Sequence, residues 1–184
     1  MTLHPIILFL HFLGMLALFV GYGLEWTASA FLPHATTGDQ ARQALRLYRL
    51  SLPLSGPGLL LLIFTGGYLA SLGVGMKPAW ISATFLGILI ALGIGFGLIL
   101  PRIKAIRGSL PEGSAALSGE VLARVRNPVF PTLVRARFIL AVGIVYLMTA
   151  KPDSMPLAIL IIFAAAILGA LFAAPAWSKR AAKK

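Results

Sequence analysis

The sequence predicts an all-α protein that crosses a membrane as a bundle of five transmembrane helices. Of its 184 residues, 59% are hydrophobic and only 11% are charged, and the mean hydropathy is +0.92. Soluble domains are much more polar than this. About 20 apolar residues are needed to cross the hydrocarbon core of a bilayer. Five segments approach or exceed that length, within one transmembrane domain over residues 1–184: 5–30, 52–73, 79–100, 132–150 and 156–176.

The distribution of Lys and Arg predicts the orientation of these spans. The turns after the second and fourth spans contain only Lys77 and Lys151. The other connections and the tail hold Arg42, Arg46, Arg49, Arg102, Lys104, Arg107, Arg124, Arg126, Lys179, Arg180, Lys183 and Lys184. Because cytoplasmic loops carry the excess of basic residues, we expect the N-terminus outside and the C-terminus in the cytoplasm. The net charge of +11 then reflects membrane topology, and no nucleic-acid binding is expected.

The first span, "HPIILFLHFLGMLALFVGYGLEW", contains three ionisable residues in an otherwise apolar sequence. His4, His11 and Glu25 are spaced by multiples of seven residues, so they lie along one stripe of an α-helix. An ionisable group in hydrocarbon must be neutral, paired or hydrated. We therefore expect this stripe to face the bundle. Gly14 and Gly21 share a second face, where small residues let a neighbouring helix come close.

The second span is preceded by a polar segment with a helical pattern. The sequence "GDQARQALRLYRL" predicts a helical extension at the cytoplasmic face, with Asp39 near its N-terminus, where the helix dipole favours a carboxylate. In the following "SLPLSGPGLLLL", Pro53 and Pro57 alternate with glycines. Since proline removes a backbone donor, we expect the second helix to be kinked there or to begin late.

Small residues recur every four positions on the third and fifth spans. Gly93 and Gly97 form a GxxxG pattern, and Ala165, Gly169 and Ala173 repeat at the same spacing. In lipid, such faces are typical of helix packing surfaces. We expect both sets to contact neighbouring helices.

The long third connection contains "SGEVLARVRNPVF", which predicts a cytoplasmic amphipathic segment over about 117–129. Val121 and Val125 lie near Arg124 and Arg126 at helical spacing. This pattern is typical of a short helix lying on an anionic leaflet. A substrate-binding element is the alternative interpretation.

The fourth span offers partners for the polar stripe of the first. It runs in the opposite direction, so Arg135 and Arg137 enter near the level of Glu25. Burying either charge alone would cost several kcal/mol, so we predict an ion pair between Glu25 and one of these arginines. The whole predicted buried polar seam comprises His4, His11, Glu25, Arg135, Arg137 and Tyr146.

Three different roles are possible for His11, and each implies a different function. A neutral His11 hydrogen-bonded to Tyr146 or to a backbone carbonyl would be structural. A His11 that changes charge near neutral pH, with Glu25 as an inner relay, would suit proton-linked transport. His11 as an axial ligand, with Met148 as the second, would suit haem b. Ligation of one haem by two histidines of the same subunit is excluded, because spans two, three and five contain no His.

Catalytic and metal sites are not predicted. The chain has no Cys, which excludes disulfides, thiolate metal sites and thiol nucleophiles. Intramembrane Ser and Thr residues lack a base in the same span, and there is no pair of intramembrane carboxylates. The glycine-rich "GIGFG" lies within a span instead of between a strand and a helix, so it is not a nucleotide loop.

Three quoted stretches, "LFLHFLGMLALFVGYGLEW", "SGPGLLLLIFTGGYLA" and "VYLMTAKPD", resemble a family of small bacterial integral membrane proteins of unknown function. The chain is more loosely similar to copper-resistance D-type and protoporphyrinogen-oxidase-like membrane proteins. Their first helix also carries a His near small residues, and haem or copper is implicated in them. The resemblance implies a bacterial cytoplasmic membrane.

The function expected from the sequence is that of a non-enzymatic membrane protein. It is either a small permease-like or ligand-binding protein or an accessory subunit of a membrane complex. Its partners would be the lipid bilayer, other membrane proteins or a second copy. The alternative is a haem-binding redox protein that uses His11 and Met148.

Overall fold

The protein is all-helical in the computed structural model, which describes residues 3–72, 75 and 77–172. Helices make up 86% of the structure, and these residues form no strand. Four helices of the described chain are long and apolar enough to cross a membrane, and a shorter apolar helix follows them. Because several such helices follow one another, the chain is a multi-pass membrane protein.

The helices follow the predicted spans closely. In chain order they are α1 (Leu3–Phe31), α2 (Gly38–Leu72), α3 (Ala79–Leu92), α4 (Leu100–Gly108), α5 (Gly119–Val125), α6 (Val129–Ala150) and α7 (Met155–Leu171). A 3-10 turn, Leu32–His34, follows α1, and a π-helical segment, Gly93–Ile99, joins α3 to α4. The predicted fifth span ends at 176, beyond the described part of the chain.

The second helix is one continuous element of 35 residues. It contains both the predicted polar extension and the apolar span, and Asp39 lies in its first turn as expected. The expectation of a late start is wrong, because Pro53 and Pro57 both lie inside the helix. In hydrocarbon, a non-helical backbone would leave more polar groups unsatisfied than a proline does, so membrane helices tolerate proline.

Helices α1 and α2 pack with their backbones in direct contact. A Cβ atom added to Gly58 would lie 2.9 Å from the carbonyl oxygen of Gly14, and one added to Gly21 would lie 2.8 Å from the amide nitrogen of Ser55. No side chain fits at these points without a shift of the backbone. The predicted packing role of Gly14 and Gly21 is confirmed.

Helices α6 and α7 approach just as closely. A Cβ atom on Gly169 would lie 2.6 Å from the Cα of Ala136, and one on Gly143 would lie 2.6 Å from the Cβ of Ala165. The packing predicted for Ala165 and Gly169 is therefore confirmed. Ala173, the third member of that repeat, lies outside the described residues.

The predicted GxxxG surface of the third span is wrong. Cβ atoms on Gly93 and Gly97 would meet nothing within 4 Å, whereas one on Gly95 would lie 2.8 Å from the Cζ of Arg137. The cause is the π-helical backbone, in which the wider turn changes the direction that each residue faces. Pro101 lies in the first turn of the α-helix that follows, where its missing backbone N–H is tolerated.

The long helices form two groups, which meet between α1 and α6 and again, at the polar ends of the bundle, between α2 and α4. Helix α1 packs on α2, while α3 and α7 both pack on α6. Contacts between α1 and α6 join the two groups. Leu18, Tyr22 and Ala141 form the small buried cluster at this junction.

The short helix α5 is present as predicted, but its apolar face does not lie on a leaflet. Val121 and Val125 are buried against Leu32 and Ile103 in a core shared by the polar ends of the helices. The expected amphipathic pattern is therefore correct, and the surface that it contacts is the protein itself.

The connection before α5 is held on the start of α2 by backbone pairing. The amide of Gly38 donates to the carbonyl of Ala115 at 3.0 Å, and the amide of Leu117 donates to that of Thr36 at 2.9 Å. Asp39 also accepts from the Ser114 hydroxyl at 2.7 Å. These bonds fold the loop back over the end of the bundle.

The tight α1–α2 contact gives a direct test. We expect Gly58→Ala to lower the free energy of unfolding in detergent by about 1–3 kcal/mol, because the added methyl group overpacks two backbones. Gly56→Ala is the matched control, since a Cβ at Gly56 meets nothing within 4 Å. It should leave stability unchanged or raise it by up to about 1 kcal/mol through helix propensity. Equal effects of the two substitutions would contradict the close contact.

Candidate ligand-binding cavity and buried ion pair

Glu25 of α1 and Arg137 of α6 form a buried ion pair. The Nη1 atom of Arg137 donates to both carboxylate oxygens of Glu25, at 2.9 Å and 3.1 Å. The two residues are only 1% and 7% exposed. The predicted ion pair is confirmed, and Arg137 is the partner.

The guanidinium of Arg137 is enclosed by groups that replace water. Its Cζ lies 4.3 Å from the centroid of the Tyr22 ring, a cation–π contact worth about 2 kcal/mol when desolvated. Gly95 supplies the opposite wall without a side chain. The Ser51 hydroxyl lies 3.3 Å from Glu25 Oε1 and 2.7 Å from the carbonyl of Tyr48.

Arg135 has a different environment from Arg137. Its Nη1 donates to the carbonyl of Phe172 at 3.0 Å, and its Cζ lies 5.6 Å from the centroid of the Trp26 ring. Trp26 in turn contacts Phe138 edge to face, with the ring centroids 5.2 Å apart. Arg135 therefore fastens the end of α7 and the end of α1 to α6, outside the ion pair.

His11 is half-buried between α1 and α2, and its ring bonds to Thr65. The Nδ1 atom of His11 lies 2.9 Å from Thr65 Oγ1, and the Thr65 hydroxyl donates to the carbonyl of Leu61 at 2.5 Å. A hydroxyl has one proton. Because Thr65 uses that proton on Leu61, we assign the Nδ1–H tautomer to His11, with a free lone pair on Nε2.

Two of the predicted seam residues lie elsewhere. Tyr146 is 56% exposed on the outer face of α6, and His4 is exposed in the first turn of α1. The expectation that Tyr146 or a backbone carbonyl bonds to His11 is wrong, because the Tyr146 side chain faces away from the bundle and His11 Nδ1 contacts the Thr65 hydroxyl of α2. Thr65 is the partner that sequence reasoning missed. Its position in "LLLLIFTGGYLA", beside two glycines, was the available signal: a Cβ on Gly66 would lie 3.1 Å from His11 Cε1.

The two helix groups enclose a cavity of about 380 Å³. Its walls come from α1 between Leu8 and Tyr22, α2 between Leu59 and Ala70, α3 between Trp80 and Ala91, and α6 between Ala141 and Lys151. Each wall is ten residues long or more, so the cavity extends roughly 15 Å along the helices. Small-molecule sites begin at about 300 Å³, and this cavity reaches that size.

The polar side chains of the cavity other than Tyr22 lie in the half away from the ion pair. Counted along each helix from the Glu25–Arg137 contact, His11 and Lys151 are both 14 residues away, about 21 Å at 1.5 Å per residue. Thr84 of α3 lies deeper, because it is 11 residues from Gly95, the residue against Arg137, about 16 Å at the same rise. Its hydroxyl is buried without a hydrogen-bond partner among the described residues. The other end is apolar, and Tyr22 closes it above Arg137.

His11 and Met148 line the same cavity. The anchored Nδ1–H of His11 resembles the arrangement of metal-ligating histidines, whose second nitrogen donates to a neighbouring acceptor. The residues predicted as axial ligands are therefore brought to one site. Lys151 supplies a cation at its mouth, 5.8 Å from the centroid of the Trp80 ring.

Comparison with known proteins finds no relative of this chain. No protein-family model, curated protein or solved structure matches the chain.

The ion pair can be measured with a double-mutant cycle. Glu25→Gln or Arg137→Gln alone should lower the free energy of unfolding by about 3–5 kcal/mol, because each leaves a buried partner uncompensated. The double variant should lose less than the sum of the two single losses. Arg135→Gln is the control and should cost less than about 1 kcal/mol. Strictly additive losses would contradict a direct pair.

Proposed function

We propose that the protein is a non-enzymatic, multi-pass protein of the bacterial cytoplasmic membrane that binds a small, largely apolar ligand in the cavity between its two helix groups. The observation that carries this proposal is the cavity of about 380 Å³ with its hydrogen-bonding groups at one end. Ligand sites in proteins are mostly apolar with a few polar groups that fix orientation. The bacterial location follows from the resemblance noted in the sequence.

The proposed topology has five spans, with the N-terminus outside and the C-terminus in the cytoplasm. It is supported by the clustering of Arg46, Lys104 and Arg124, all exposed, at the end of the bundle that holds α5. Cytoplasmic ends of membrane proteins are enriched in such residues. In this orientation, the His11 end of the cavity faces the outer leaflet.

The closed end of the cavity, at Tyr22, favours the binding of a ligand over the passage of a solute through the protein. Tyr22 lines the apolar end and packs on Arg137, which is held by Glu25. A solute crossing the protein would have to separate this ion pair, and separating two charges in a low dielectric is costly. Proton-linked transport would use the same groups and requires that separation.

Haem b binding is the second candidate and is supported by His11 and Met148 on one cavity. His11, through the lone pair assigned to Nε2, and Met148 would hold the haem iron. A bound haem would supply one-electron chemistry. An absorption spectrum of the gently purified protein separates the candidates, because haem predicts a Soret band that His11→Ala abolishes.

Filling the cavity tests the proposed function. Gly67 lines the cavity, and a Cβ there meets nothing within 4 Å, so Gly67→Leu should occupy the space without disturbing the fold. We expect native mass spectrometry to detect a small apolar molecule bound to the wild-type protein and at least tenfold lower occupancy in this variant. Gly56→Leu is the matched control, since Gly56 lies on the same helix outside the cavity and is also free of contacts.

Two other results would change the assignment. Equal occupancy in the Gly67→Leu and Gly56→Leu variants would place the ligand outside the cavity. A wild-type protein that carries no small molecule and always purifies with a larger membrane complex would instead support the accessory-subunit function.

The orientation can be measured by labelling single cysteines, because the chain has none of its own. Asp153 in the α6–α7 turn and Ala105 in α4 are both exposed. In intact cells, a membrane-impermeant maleimide should label the Asp153→Cys variant. It should label Ala105→Cys only after permeabilisation. The opposite pattern would reverse the proposed topology.

A further inference from the structure

We infer that the ligand is a single-chain amphiphile with an uncharged hydroxyl head group, bound with its hydroxyl at His11 and its chain directed towards Tyr22. This inference rests on the proposed ligand-binding function and adds the chemical class of the ligand. Three features of the cavity lead to it: the hydrogen-bond pattern around His11, the unpartnered Thr84 hydroxyl, and the apolar walls beyond them.

The first feature is that His11 presents an acceptor. Its Nδ1–H is used on Thr65 Oγ1, and the Thr65 proton is used on the Leu61 carbonyl. The remaining Nε2 atom holds a lone pair and no proton. A ligand that bonds to His11 must therefore bring a hydrogen-bond donor, which an ether, an ester or a ketone lacks.

The second feature is that Thr84 has an unused hydroxyl in the same cavity. The residue is 7% exposed, it lines the cavity, and its Oγ1 has no hydrogen-bond partner among the described residues. A buried polar group without a partner costs free energy. A ligand hydroxyl both donates and accepts, so it suits a cavity that offers an acceptor at His11 Nε2 and an unused hydroxyl at Thr84.

The third feature is the charge and shape of the cavity. Among the lining residues, Lys151 carries the one permanent charge, and its amine lies at the mouth against Trp80. A cationic head group would be repelled by Lys151 at the level of His11, and a carboxylate has no proton to donate to His11 Nε2. Beyond His11 the walls are formed by Leu18, Leu59 and Ala141, over a length of roughly 15 Å. An extended hydrocarbon chain matches this apolar, elongated space.

The test compares two probes that differ in the group on one oxygen atom, a hydrogen in the first and a methyl group in the second. Dodecanol has the hydroxyl, and dodecyl methyl ether has the same chain with the donor replaced. Each is titrated into the full-length protein in lipid nanodiscs, and binding is followed by the shift of the thermal unfolding midpoint. We expect dodecanol to bind about tenfold more tightly than the ether, the discrimination of one hydrogen bond.

Two variants connect this selectivity to His11. Thr65→Val keeps the imidazole but removes the acceptor for Nδ1–H, so the ring is free to carry its proton on Nε2 and donate it to the ether. Selectivity should fall to about twofold or less, and the ¹⁵N spectrum of the histidine rings should show the change of tautomer. His11→Ala should abolish selectivity altogether. Because Thr65→Val is isosteric, it keeps the test valid if His11→Ala does not fold.

The outcomes separate this inference from the function on which it rests. The wild-type protein could bind the alcohol and the ether with equal affinity, and Gly67→Leu could lose binding of both. That result would overturn the hydroxyl inference and leave the cavity as the binding site. If neither probe binds, and the Gly67→Leu and Gly56→Leu variants also show equal occupancy by the co-purified small molecule, both the inference and the proposed function are overturned.

Discussion

The ion pair between Glu25 and Arg137 is the contact on which the arrangement of the helices depends. Hydrocarbon offers no water to either charge, so each residue must find its partner inside the protein. This requirement fixes the depth of α1 relative to α6, because the two charged groups must meet at the same level. Once that level is set, Tyr22 falls on Arg137 and closes one end of the cavity.

The cavity is a consequence of how unevenly the helices pack. Gly14, Gly21 and Gly58 bring α1 and α2 into backbone contact, and Gly143 and Gly169 do the same for α6 and α7. Two tight groups result, and they touch mainly where α1 meets α6. The same small residues that stabilise each group therefore leave the space between them open for a ligand.

Much of this architecture could be predicted from the sequence. The positions of the helices follow from the lengths of the apolar segments. The ion pair of Glu25 follows from the high free-energy cost of burying a charge alone, which requires a basic residue at the same depth and so points to α6. The sequence did not distinguish Arg135 from Arg137, because residues two apart differ in direction by roughly 200° on a helix and the rotation of α6 is set by packing. Thr65 was missed for a similar reason. Its role depends on the packing of α2 beside His11, and this tertiary contact is not visible in the sequence.

The π-helical segment Gly93–Ile99 has a consequence for how this sequence tolerates change in length. The amide of Leu100 donates to the carbonyl of Gly95, five residues earlier, so this turn holds one residue more than an α-helical turn would. Deleting one residue here would turn the wide segment into a regular α-helix, because the wider turn is what accommodates the extra residue. Helix α4 would stay near its present rotation, but the residues of the segment would face other directions, and Gly95 would lose its position beside Arg137. The length of the segment between Leu92 and Pro101 therefore determines which residue lies against the buried arginine.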